Sequence, residues 1–93
     1  MSQHPLTPII ERRAKALAPA PDAVEVQEVR RDERYLRVNI YPGTEVNQGA
    51  IIGRGGENIE ALRRYVEALA FDLGITVRIK VVTEDRQPTE SRQ

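Results

Sequence analysis

Four glycines fall within eight residues of the stretch GAIIGRGGENIEALRR, Gly49 to Arg64, and the last of them runs straight into a helical pattern. Glycine in a helix interior costs about 1 kcal/mol relative to alanine, so something favours Gly53-Arg54-Gly55-Gly56. The chemistry these residues offer is anion contact. A helix that begins after the loop has first-turn amides without intrahelical partners, and its dipole adds positive potential there. A phosphodiester can rest on such amides, and glycine lets the sugar–phosphate backbone approach. Arg54 adds a charge at the same place. A tight glycine turn between two helices also accounts for the spacing, and spacing alone leaves both readings open. Other phosphate loops fit worse: GxxxxGK[ST] is absent, and GxGxxG fails because Asn58 stands where its third glycine belongs.

Catalysis finds little support. The chain has one histidine, His4, in an N-terminal lead-in, and no cysteine. No metal-ligand spacing is present, and the carboxylates sit at expected helix-surface or turn positions without an apolar pocket to shift their pKa. The expectation is a non-enzyme without cofactor, metal or small-molecule substrate.

Several elements must position the loop. Residues 1–5 read as a flexible lead-in. Thr7-Pro8 reads as an N-cap with proline at the first helical position. Ile10, Ala14 and Leu17 then give a helix over about 8–17, which Pro19 and Pro21 end. Val24 and Val26, then Leu36, Val38 and Ile40, alternate with polar residues, which predicts two strands with one buried face. The polar block 30–34 lies between them as the connection of a hairpin. Thr44 caps a short helix over 45–52 with Val46, Ile51 and Ile52 as its apolar residues. After the loop, Ile59, Leu62, Val66, Leu69 and Leu73 step by three and four, with Glu60 and Arg64 as an i,i+4 pair and Gly74 as the stop. Ile75, Val77, Ile79 and Val81 alternate as a third strand. A strand-to-strand connection through two helices can return parallel. The expected fold is therefore α+β, a mixed three-stranded sheet with helices on one face, over a single domain at 6–82. The polar segment 83–93 reads as a disordered tail.

Composition bounds the partners. Ninety-three residues suit one small domain, and 14 Lys+Arg balance 14 Asp+Glu. Net charge thus gives no argument for nucleic acid, whose non-specific affinity rests on phosphate neutralisation. Absence of cysteine excludes thiol chemistry and fits a reducing compartment. No apolar run reaches the roughly 18 residues of a membrane span, and the N-terminus lacks a signal-peptide apolar region. The expected location is cytoplasmic, with no membrane partner.

The stretch AIIGRGGENIEALRRYV resembles the signature of a KH domain: an apolar pair, GxxG, two residues, isoleucine, then a helix. The helix–strand–strand prefix places the likeness with the type II arrangement, helix-strand-strand-helix-GxxG-helix-strand. AVEVQEV and VRIKVV fall where the small bacterial KhpA-type KH proteins have similar segments. Two departures stand out, a GTEVNQGA stretch a few residues longer than usual and electrical neutrality.

The resemblance implies single-stranded RNA binding and a role as RNA chaperone or post-transcriptional regulator, linked to cell-wall and cell-length control. It also implies a homodimer, or a heteromer with a larger Jag/KhpB-type KH protein. Carried onto this chain, Gly53, Arg54, Gly55 and Gly56 hold the RNA backbone. Ile52 and Ile59 flank the loop, either lining the groove or anchoring the helices in the core. Arg63 and Lys80, with Arg64 and Arg78, extend a basic edge or are solvated surface charges. Tyr35, Tyr41 and Tyr65 offer stacking surfaces or simply pack. The alternative is a protein–protein interaction module, a dimerisation or adaptor unit on the same fold with little RNA affinity; an acidic surround from Glu57 and Glu60 beside Arg54 would favour it.

Overall fold

A computed structural model describes residues 3–83. The elements are helix α1 (Leu6–Leu17), strands β1 (Glu25–Asp32) and β2 (Tyr35–Tyr41), helices α2 (Glu45–Ile52) and α3 (Glu57–Leu73), and strand β3 (Thr76–Val81). Single 3-10 turns lie at Pro21–Ala23 and Arg54–Gly56. The sheet order is β1-β2-β3, antiparallel in its first pair and parallel in its second. The order of elements and the mixed sheet are those expected from the sequence.

Alternation builds two layers. Leu36, Val38 and Ile40 on the central strand are fully buried, as are Val77 and Ile79 opposite them on β3. Over this face lie Leu6, Ile10 and Ala14 of α1 and Ile59, Leu62, Val66 and Ala70 of α3. The intervening residues of the strands face away from the helices. Burial of about 25 cal/mol per Å² of apolar area makes this contact the main source of stability.

Four local expectations are corrected. Helix α1 begins at Leu6, not after a Thr7 cap, because Thr7 is buried and its hydroxyl donates to Glu28 Oε2 on β1. Pro8 therefore sits in the first turn, where no intrahelical donor is lost. The block 30–34 is mostly strand: β1 continues to Asp32, and only Glu33 and Arg34 turn. A bulge at Val29 and acceptance of the Arg34 amide by Asp32 Oδ1 at 3.0 Å allow it. Leu73 falls outside the buried stripe of α3, whose last inward residue is Ala70, since the helix leaves the sheet there. Glu60 pairs with Arg63 at 3.2 Å rather than with Arg64. Residues 84–93, most of the tail expected to be disordered, lie outside the described residues.

His4 closes the N-terminal end. Its Nδ1 accepts the Leu6 amide at 3.1 Å, its carbonyl accepts the Thr7 amide, and its own amide donates to Glu28 Oε2 at 2.7 Å. Burial and the nearby Arg31 lower the His4 pKa, only partly opposed by Glu28. Burial pushes Glu28 up, but hydrogen bonds from Thr7 and the His4 amide, with the Arg31 and His4 charges, outweigh it and lower its pKa.

Both shifts have the same sign for stability. Between the ordinary histidine value of 6.5 and the lowered folded value, the unfolded chain binds the His4 proton and the folded chain does not, so stability falls with falling pH. Protonated Nδ1 also cannot accept from Leu6. Thermal melting should weaken as pH drops below neutrality, His4→Gln should flatten that region, and Glu28→Gln should flatten a separate decline below about pH 4.5.

Candidate nucleic-acid interface

Helix α2 is held at both ends. Thr44 Oγ1 accepts the Asn47 amide at 2.9 Å, as its sequence position predicts. Val46, one of the apolar residues read for this helix, is 66% exposed, and the inward position belongs to Asn47, which is fully buried. The Asn47 amide group accepts from the Ala20 N–H at 2.9 Å and donates to the carbonyls of Ala20 at 2.8 Å and Pro42 at 2.9 Å. One satisfied polar side chain thus ties the start of α2 to the segment after α1 and to the end of β2.

The loop then turns α2 into α3, and its glycines differ in cause. Gly53 has φ 81° and ψ 170°, a region open essentially to glycine alone. A Cβ there would also lie 2.7 Å from the Asn58 backbone nitrogen and side chain. Asn58 in turn donates Nδ2 to the Ala50 carbonyl at 2.8 Å, satisfying an orphan acceptor at the end of α2. The first glycine therefore serves the fold. Gly55 and Gly56 also have positive φ, 63° and 81°, but a Cβ on either would meet nothing within 4 Å. Their surroundings are open.

The loop amides divide in the same way. Gly53 donates to the Gly49 carbonyl at 2.8 Å, Gly56 to Gly53 at 3.1 Å, and Glu57 to Arg54. Among the described residues no acceptor is assigned to the amides of Arg54 and Gly55, both exposed residues. Two donors and the Arg54 guanidinium thus occupy one open loop.

The flanking candidates separate. Ile59 is buried at 5% exposure and anchors α3, while Ile52 is half-buried beside the loop. Arg63 donates Nε and Nη2 to the Ile79 carbonyl at 3.1 and 3.0 Å, which pins α3 to β3 and covers part of an edge strand. Arg64 is exposed on α3. Lys80 and Arg78 are not brought to the loop: they alternate with buried Val77 and Ile79, so they face away from the helical layer. Tyr35 and Tyr41 lie on that outer face too, and Tyr65 packs under Arg13, whose guanidinium is 4.0 Å from the ring centroid. Charge at the loop is balanced, because Glu60 is paired with Arg63 and exposed Glu57 stands beside Arg54. Sequence reading missed Asn47 and Asn58 as positioning residues; the available signal was an asparagine in the first turn of each helix.

With this geometry established, a family model for the KH domain of KhpA and KhpB matches residues 8–81. The chain belongs to that family. A comparison with curated proteins finds no match. Among solved structures, a variant of Aquifex aeolicus Era bound to GDP and aluminium fluoride is similar at 20% identity and TM-score 0.60. Era in complex with MgGDPNP and nucleotides 1506–1542 of 16S ribosomal RNA is similar at 19% identity and TM-score 0.62. Each likeness covers 94% of this chain and 35% of the Era chain, and shows a shared fold. At family level this is an RNA-binding KH domain, a module whose GxxG loop clamps about four nucleotides. KH domains are typically non-enzymatic.

The two classes of glycine should separate in stability. Gly53→Ala combines a glycine-only backbone region with a collision, and should cost about 3 kcal/mol or more. Gly55→Ala meets open space and should cost only about 1–2 kcal/mol from its φ. Urea denaturation of the two variants checks the difference.

Proposed function

We propose that this KH domain binds single-stranded RNA by seating a phosphate on the Arg54 and Gly55 amides, with the Arg54 side chain as counter-charge. The observation that carries this reading is the contrast within the loop: Gly53 is closed by Asn58, whereas Gly55 and Gly56 face open space. Ile52 beside the loop offers apolar surface to a base, whereas Arg63 is engaged by Glu60 and the Ile79 carbonyl and serves the packing of α3 on β3. Membership of the KH family supports the RNA-binding part of this reading. We propose further a role as RNA chaperone or post-transcriptional regulator in the cytoplasm, in the control of cell wall and cell length. Among the described residues no helix is long and apolar enough to cross a membrane.

The decisive variant is Arg54→Asp with Gly55→Asp. It replaces a cation by an anion and adds a second carboxylate where the phosphate would lie. The fold should survive with a loss of about 1 kcal/mol, because both positions are exposed and aspartate tolerates left-handed backbone better than most residues. RNA affinity should fall about tenfold or more as phosphate contacts are lost. A melted variant, or a folded one that binds like the wild type, would return the loop to a purely structural role.

A second reading has its own observation. Phe71 is 82% exposed, Leu73 54% and Tyr65 41%, all on α3. Exposed apolar side chains that join into one patch mark interfaces, and Phe71 and Leu73 are the side chains that a homodimer or a larger KhpB-type protein would cover on this reading. Light scattering at high micromolar concentration should give a mass above the 10.5 kDa of one chain, and Phe71→Ser should reduce it. A monomer mass together with no partner recovered from lysate would remove this reading.

A further inference from the structure

The outer face of the sheet carries a charge pattern that the loop does not use. Strand register places Arg30, Arg37 and Arg78 directly across β1, β2 and β3, and sets Lys80 opposite Asn39 two residues further along. All four cations are exposed. The carboxylates on that face are Asp32, 3.6 Å from Arg30, and Glu25, opposite Tyr41 on the neighbouring strand. Arg30 is engaged by Asp32 and by the Tyr35 ring, 4.8 Å away. Among the described residues the side chains of Arg37 and Lys80 have no ion pair or hydrogen bond, and the Arg78 side chain donates to the carbonyl of Val77 at 3.1 Å.

Like charges directly opposite one another destabilise a sheet. Arg30 is compensated by Asp32, but Arg37 and Arg78, side by side at the strand spacing of about 4.8 Å, repel one another unless an anion lies over them. Phosphate, like carboxylate, is an anion that a guanidinium matches with two parallel hydrogen bonds, and a nucleic-acid strand presents its phosphates in a row, as the sheet presents its arginines. The chain is neutral as a whole, so this concentration is a matter of placement. Arg63 marks the β3 edge between the two sides of the sheet. Its two bonds to the Ile79 carbonyl hold a guanidinium there, with its remaining Nη1 paired to Glu60 at 3.2 Å. Arg78, Lys80 and Arg37 thus lie around β3 from the helical layer that carries the loop, as an exposed cationic patch separate from it.

We propose that the outer sheet face is a second RNA-contact surface. A strand leaving the GxxG loop continues around the β3 edge, and its sugar–phosphate backbone is held by Arg37, Arg78 and Lys80 without regard to sequence. The proposal rests on the RNA-binding reading of the loop and extends it from about four nucleotides to a longer strand.

The test uses the full chain and two labelled oligouridylates, of about five nucleotides, enough for the loop, and of about fifteen. In Arg37→Gln/Arg78→Gln/Lys80→Gln the short oligonucleotide should bind as to the wild type. The long one should bind about tenfold or more weakly near 0.1 M salt, with a log–log salt slope flatter by about 2, three contacts at about 0.7 each. Melting should be unchanged or raised, since the like-charge row is gone, and Arg37→Lys/Arg78→Lys should keep the wild-type slope. Arg54→Asp/Gly55→Asp should lose the short oligonucleotide. A folded triple variant with wild-type affinity and slope for the long RNA overturns the proposal while the loop reading stands, and hands the row to another anion, such as carboxylates of residues 84–93 or an acidic protein. Equal loss for both lengths also overturns it, because the face would then belong to the loop site. A wild type that binds neither oligonucleotide overturns both readings.

Discussion

The connection between α2 and α3 is the constraint on which the rest of the molecule depends. Four residues must reverse the chain so that α3 lies back over the sheet, and the first of them can only be glycine, because Asn58 occupies the space a Cβ would need. Asn58 is fixed by its bond to Ala50, so the end of α2, the turn and the start of α3 move as one unit. From that start the spacing of α3 sends Ile59, Leu62, Val66 and Ala70 into the core and brings Arg63 to the β3 edge. Substituting any larger residue for Gly53 would disturb both the packing and the exposed amides at once.

Site and scaffold are thereby separated within four residues. Gly53 belongs to the packing, whereas Arg54 and Gly55 present backbone to solvent. Such an arrangement suits a binding loop, because the rigid part sets the position of the donors and the open part leaves them accessible. The residues beside it add little net charge. What the loop offers an anion is oriented amides and one arginine, rather than a broad positive field.

Net charge and charge placement give different pictures of this chain. Fourteen cations and fourteen acids cancel, yet the sheet sorts them. Its inner face is apolar with Leu36, Val38 and Ile40 at 0% exposure, and its outer face aligns arginines across all three strands. The likeness to about one third of the Era chain shows that in Era this fold is part of a longer protein.

Periodicity alone determined most of the architecture. Period two in 36–40 and 75–81, steps of three and four from Ile59 to Val66, and the glycine cluster between helices are local patterns, and local backbone preference together with burial of one face is enough to realise them. The loop was legible for the same reason, since positive φ leaves a mark in residue type. Tertiary structure decided what depends on partners distant in sequence. Thr7 reads as a cap, but a buried contact with Glu28 on β1 outcompetes that local role. Asn47 gives no local signal of a role, but three backbone groups at Ala20 and Pro42 need it. Lys80 reads as part of the loop's basic edge, but the pleat turns it to the other side of the sheet, and only strand register, set by burial of the opposite face, aligns Arg30, Arg37 and Arg78.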